Sequence, residues 1–347
     1  MRRLTWVAAL WSTVSAVLSR ANNSVFHGIC VAHGLNFETP RAAWLRLLER
    51  VLPTMNLVLC MCLILFFPWK CFQSATNTSF MDIASISTNF TFVAAGFYAA
   101  LIFAKNPDEI RSLLEPERRV FRHVLFLALC SVPLIVHLTR RISSTSDSAK
   151  IILYILVCHS EFVMISFFIV YNDIIVHLAL LNQEISEDVR RTDRDLFSSI
   201  AVEWDIRDRI GRLNSMFASL LSWYYVQFRM IVMHTLAVLA GLTPSAAYSI
   251  TMLFVLAGIS LPLFELSRSS THMTSVSLQT EYLLSKRFFP ESPVELLVLR
   301  FREDLDVPRV GVFSQGIPNL SRFFGFCITC SAVILQFDYK MLRKIWN

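Results

Sequence analysis

Two ionisable side chains, Glu161 and Arg229, stand inside otherwise apolar stretches of this 347-residue chain. A charge placed in hydrocarbon is costly unless it is paired or hydrated, so such residues are the first candidates for function. Glu161 lies about ten residues into its apolar run, and Arg229 reaches a comparable depth in the next at roughly 1.5 Å per residue. An intramembrane ion pair is the expectation, with a purely structural pair or a snorkelling arginine as the alternative. A second group could hold a small molecule through aromatic faces and hydrogen bonds: Phe90, Tyr98, His137, Tyr154, His159, Tyr248 and Thr251. Ordinary helix packing is the commoner explanation for each taken singly, since aromatics abound at membrane interfaces. A third group, Arg322, Gly325, Thr329, Ala332, Gln336 and Tyr339, recurs at spacings of three and four. On a helix these form one small or polar stripe. The stripe either lines water or lets helices approach closely, and the residues leave both readings open.

Other chemistry is excluded by what the chain lacks. It has no HExxH, GxSxG, P-loop or glycine-rich dinucleotide fingerprint, so no enzyme activity and no cofactor are expected. No metal site is expected either, because Cys60 and Cys62 lack the second ligand pair that zinc needs. Six of the eight cysteines, Cys60, Cys62, Cys130, Cys158, Cys327 and Cys330, fall in apolar runs, and Cys71 alone is clearly external. Paired, Gly/Pro-broken segments in matching halves, the mark of a secondary transporter, are absent.

The elements that position these residues follow from composition. Hydrophobic residues make up 54% of the chain and charged residues 17%, with mean hydropathy +0.52; a soluble domain carries about a quarter charged. Runs long enough for a core about 30 Å thick lie at Leu52 to Trp69, Ile83 to Ala104, Val120 to Thr139, Ile151 to Leu181, Met216 to Leu242, Ala247 to Leu266 and Ile317 to Phe337. The expected fold is all-α, one polytopic membrane domain of seven transmembrane helices over residues 1–347. Residues 1–51 form a cytoplasmic leader, 182–215 and 267–316 cytoplasmic loops with helical extensions, and 317–337 the seventh helix. Arg122, Pro133 and His137 interrupt the third run.

Basic residues set the orientation, because cytoplasmic loops are enriched in them. With the N-terminus inside, twenty-three Lys and Arg fall on the cytoplasmic side and seven outside. Seven spans then leave the C-terminus outside. The net charge of +6 is thus accounted for by membrane flanks, and no nucleic-acid partner is implied. Asn77-Thr78-Ser79 is a glycosylation acceptor in the first external loop; Asn89-Phe90-Thr91 lies too close to the membrane, and Asn22-Asn23-Ser24 is cytoplasmic. Arg2 and Arg3 followed by a stretch weakened by Ser12, Thr13 and Ser15 read as an interfacial leader helix rather than a cleaved signal.

The last run is the most specific segment: Phe323-Phe324-Gly325-Phe326-Cys327-Ile328-Thr329-Cys330-Ser331-Ala332-Val333-Ile334-Leu335-Gln336-Phe337. It resembles the end of the insect gustatory receptors, which close their seventh span with Thr-Tyr, five apolar residues and Gln-Phe. The match falls on Thr329, Gln336 and Phe337, with Cys330 in place of the tyrosine. Leu296, Leu297, Pro308, Gly311 and Phe313 are similar in order to the family's approach to that span, as is Leu181-Asn182-Gln183-Glu184 after the fourth.

The resemblance implies a homo- or hetero-tetrameric, ligand-gated cation channel in the plasma membrane of chemosensory neurons, opened by a small extracellular tastant. Thr329, Ala332, Gln336 and Phe337 would line the pore, with Gln336 and Phe337 at its constriction; membrane lipid surrounds the rest. Asp173 and His177, at the inner end of the fourth run, are candidates for contacts between subunits. The sugar-sensing branch carries glutamate after the motif tyrosine; Ser331 stands there, which points away from sugar. The competing readings are a divergent seven-span G-protein-coupled receptor, which would put the basic residues on the wrong side, and a transporter or membrane enzyme.

Overall fold

The computed structural model describes residues 28–30, 32–33, 35, 47, 51–62, 64–65, 80–114, 139, 148–191, 196–239, 246–288, 309–310, 313–314 and 316–346. The main elements are α1 (Val51–Cys62), α2 (Phe80–Lys105), α3 (Pro107–Leu113), α4 (Ser148–Arg191), α5 (Leu196–Ala237), α6 (Ala246–Phe288), β1 (Arg309–Val310), β2 (Phe313–Ser314) and α7 (Ile317–Trp346). The strands are a two-residue antiparallel ladder pairing Arg309 with Ser314 and Val310 with Phe313. That ladder is a small departure from the all-helical expectation.

Six of the seven apolar runs coincide with helices, and the run at Val120 to Thr139 lies outside the described residues except Thr139. Among the described residues, two helical stretches are long and apolar enough by themselves to cross a membrane, Ile155–Arg190 and Met252–Leu284. The helices α4, α5 and α6 have 44, 42 and 43 residues, roughly twice what a hydrocarbon core requires. Charge pairs at i,i+4 support the N-terminal half of α5: Arg209 Nε meets Asp205 at 2.8 Å and Arg212 Nε meets Asp208 at 3.0 Å.

Chain breaks follow local chemistry. Pro107 ends α2 because it disfavours a helical residue before it, and Asn106 turns out of the helix at φ −124°, ψ 42°. Pro107 then opens α3, where its missing N–H costs nothing. Pro262 sits inside α6 and cannot donate to the carbonyl of Gly258. One residue on, the Ile259 carbonyl accepts a hydrogen bond from the Tyr224 hydroxyl of α5 at 3.0 Å, so a neighbouring helix supports the interrupted turn.

The core lies between α2, α4, α5 and α6, with α4 packed on α6 and α2 on α5. Phe167 and Tyr171 of α4 meet Phe217 of α5 at ring distances of 5.2 and 5.5 Å, and Phe168 meets Tyr224 edge-on at 4.3 Å. Such edge contacts add to the burial of the rings themselves. At Gly96 the helices α2 and α4 approach so closely that a Cβ would lie 2.9 Å from the Ser160 carbonyl oxygen. Only a residue without a side chain fits this crossing.

At one end of the long helices the polar side chains are tied together. Asn182 Nδ2 donates to Ser277 Oγ at 2.8 Å, and Thr280 Oγ1 donates to the Asn182 carbonyl at 3.1 Å. Arg207 of α5 pairs with Glu203 on its own helix and with Glu281 of α6.

Part of the leader is core. Ile29, Cys30, His33 and Leu35 are buried, and Asn56 Nδ2 of α1 holds their turn by donating to the Ala32 carbonyl at 3.0 Å. His33 stacks on Phe103 with centroids 4.2 Å apart. Burial, with His159 nearby, pushes the His33 imidazole down to about 3.

Candidate functional site

The helix α7 carries one buried and one open face. Leu320 and Cys327 are buried, and Phe323 and Phe324 between them are half-buried, a helical i, i+3, i+4, i+7 stripe. It docks on α5, where Tyr225 meets Phe323 edge-on at 4.7 Å and Phe228 meets Phe324 at 4.7 Å. Gly316 anchors the start of the helix: a Cβ there would approach Thr271 Oγ1 of α6 to 3.3 Å.

The other face holds the stripe seen in the sequence. Arg322, Gly325, Thr329, Ala332 and Gln336 are all exposed, and a Cβ on Gly325 would meet nothing within 4 Å. Phe326, Ile328 and Val333 share the exposure. Thr329 Oγ1 donates to the Gly325 carbonyl at 2.9 Å, so its hydroxyl is satisfied by its own helix. Phe337 lies in the helix, and its side chain is outside the described residues.

Glu161 and Arg229 are not an ion pair. The Glu161 carboxylate accepts from Gln227 Nε2 at 3.4 Å, while the Arg229 guanidinium sits 5.3 Å from the centroid of Phe326 on α7. The reason is helical geometry. Gln227 and Arg229 are two residues apart, roughly 200° around α5, so a face that presents Gln227 to α4 turns Arg229 away. Arg229 finds the face of an aromatic ring instead. Depth alone matched these two charges; the direction of the side chains separates them.

Three of the proposed ligand residues, Phe90, Tyr98 and His159, have described side chains. Phe90 is exposed, Tyr98 packs half-buried against the core, and His159 is half-buried with Nε2 lacking a hydrogen-bond partner. Tyr154, Tyr248 and Thr251 stand on helices α4 and α6, with side chains outside the described residues; His137 and Asn77 are outside them entirely. Asp173 and His177 are buried within α4's own packing. Sequence reading missed Gln227, which is wholly buried against Glu161. A glutamine in an apolar run is a signal of this kind, weaker than a charge.

No family model matches the sequence, and no curated protein matches it. Solved structures do share the fold. The insect olfactory receptor OR5 from Machilis hrabei aligns with a TM-score of 0.69 at 16% identity, covering 92% of this chain and 99% of that one. The same receptor in complex with eugenol aligns with a TM-score of 0.61 at 15% identity, covering 92% and 98%. The architecture is therefore the fold of these solved structures. In particular, over nearly its whole length this chain has the insect olfactory receptor fold.

Proposed function

We propose that this chain is a chemosensory receptor of the insect gustatory type, acting as a cation channel opened by a small extracellular molecule. The observation that carries the reading is the fold shared with an insect olfactory receptor over 92% of the chain. The gustatory assignment rests on Thr329, Gln336 and Phe337 at the end of the last helix. That the olfactory receptor is seen with eugenol supports a small organic ligand for this fold.

In this reading the chain crosses the plasma membrane of a chemosensory neuron seven times, with Val120 to Thr139 as the third span. The N-terminus is cytoplasmic, and Asn77 is external and open to glycosylation. The far ends of α4, α5 and α6 project into the cytosol, since 44 residues of helix reach roughly 66 Å against a core of about 30 Å. Four copies, of this chain or of related chains, would turn the open faces of α7 to one axis. Ala332, Thr329 and Gln336 would then meet water, with Gln336 and Phe337 at the constriction.

The test is reversal potential in mixed sodium and calcium solutions, normalised to surface level, with a Met1 tag scored before and after permeabilisation. Gln336→Arg adds a positive ring and should shift selectivity away from cations. Phe337→Ala removes an apolar obstruction and should raise current without ligand. Unchanged selectivity and basal current in both variants would remove the pore assignment, and tag labelling on intact cells would overturn the orientation.

A further inference from the structure

Among the described residues, no basic side chain pairs with Glu161 where α4 meets α5. Glu161 is 6% exposed and Gln227 is fully buried. The contact between them, 3.4 Å from Gln227 Nε2 to Glu161 Oε1, lies beyond the usual hydrogen-bond range. The carbonyl oxygen Oε1 of Gln227 is buried with no hydrogen-bond partner. The intramembrane cation closest in sequence, Arg229, is directed to Phe326. Near Gln227 in sequence, Phe228, Ile231 and Val232 of α5 are buried, Phe228 against Phe323 and Phe324 of α7. Two turns along α5 from Gln227, about 12 Å, Thr235 Oγ1 is likewise buried without a hydrogen-bond partner.

The Glu161 carboxylate holds one long hydrogen bond, and the Gln227 carbonyl oxygen holds none. Leaving them so in a low-dielectric interior is unfavourable. The group that complements both is a compact cation with several N–H donors, which an ammonium supplies. Ile231, buried one turn along α5 from Gln227, suits a hydrocarbon skeleton attached to that ammonium. We propose that the Glu161–Gln227 pair is the recognition point for a small organic amine, bound as its ammonium ion. This rests on the reading of the chain as a small-molecule receptor and narrows its ligand class.

The test uses the full chain in two assays: thermal stability of the purified protein, and calcium current in expressing cells. Probes are benzylamine and phenethylamine against benzyl alcohol and 2-phenylethanol, which match them in skeleton but carry no charge. The amines should stabilise the wild type and the alcohols should not. Glu161→Gln, which keeps the shape, should raise the half-maximal amine concentration at least about tenfold; Gln227→Met should raise it by a smaller factor. Equal effects of amines and alcohols on the wild type, or amine binding unmoved in Glu161→Gln, would overturn the proposal. Because the wild-type comparison needs no variant, misfolding of either variant does not shield it. Amine stabilisation without any current would uphold the pair and remove the channel reading. Currents that do not discriminate amine from alcohol would do the reverse.

Discussion

Two glycines, Gly96 on α2 and Gly325 on α7, face opposite circumstances. Gly96 on α2 presses its Cα against α4, and an added Cβ would run into both the side chain and the backbone of Ser160. Gly325 on α7 looks into open space. The first belongs to a finished interior whose shape the single chain completes. The second belongs to a face that the single chain leaves uncovered, alongside exposed Phe326, Ile328 and Val333. Sealed and open regions therefore make different demands on the same residue type, and substitutions can show where one passes into the other.

The largest effect is expected at the sealed end of the long helices. Arg207 is 18% exposed and bridges Glu203 and Glu281, which are 8% and 3% exposed. Arg207→Ala leaves two buried carboxylates without their cation, a loss of about 3–5 kcal/mol. Thermal melting of the purified chain should show a large fall. Adding Glu203→Gln and Glu281→Gln to Arg207→Ala should recover much of it, since an uncharged set avoids the unpaired charges. A melting temperature unchanged in Arg207→Ala would place this network outside the sealed region.

Gly96→Ala comes next, by overpacking at about 1–3 kcal/mol. Folded yield and melting temperature should both drop. Ser160→Gly in the same chain should restore part of the loss by removing the oxygen that the new methyl would strike. Failure of that rescue would mean that the Ser160 backbone, rather than its hydroxyl, limits the crossing.

These contacts bear on what could be read before the structure. The apolar runs were legible because membrane-length hydrophobicity is a property of composition, and α2 matches its run at Ile83 to Ala104 within three residues. The stripe on α7 was legible because a 3.6-residue period fixes which side chains share a face. Its exposure as one face follows the same rule. The separate partners of Glu161 and Arg229 were not legible: hydropathy gives depth along a helix but not which neighbour a side chain meets. His33 escaped for a related reason. A polar turn in a leader carries no period, and its burial depends on Asn56 and Phe103, which approach it only in the folded chain.

His33 gives a smaller, pH-dependent effect. In the unfolded chain its imidazole takes a proton near 6.5, whereas in the fold it does so only at about 3. Between those values the unfolded state binds more protons. This contribution to stability is therefore intact above about 6.5 and lost as pH falls toward 3, by up to ~1.4 kcal/mol per unit. His33→Phe keeps an aromatic ring on Phe103 and should flatten melting temperature against pH in that window. The same slope in wild type and variant would show that other groups set it.

The smallest change is expected at Gly325, where its sign is informative. On an exposed helical face, Gly→Ala removes unfolded-state freedom and improves helix propensity, a gain of about 0.4–1 kcal/mol. With nothing within 4 Å of the new methyl, the single chain offers no opposing term. A gain would therefore mean that this face meets water, as a pore-lining stripe does. If another copy of the chain packs its backbone against Gly325, as small residues permit between membrane helices, the same methyl would weaken assembly. The two outcomes are read together by melting temperature and by size-exclusion mass in one detergent. A higher melting temperature at unchanged mass supports the water-facing stripe. A lower mass, or a melting temperature that falls, assigns Gly325 and its neighbours to contact between copies and leaves the pore to other residues of α7.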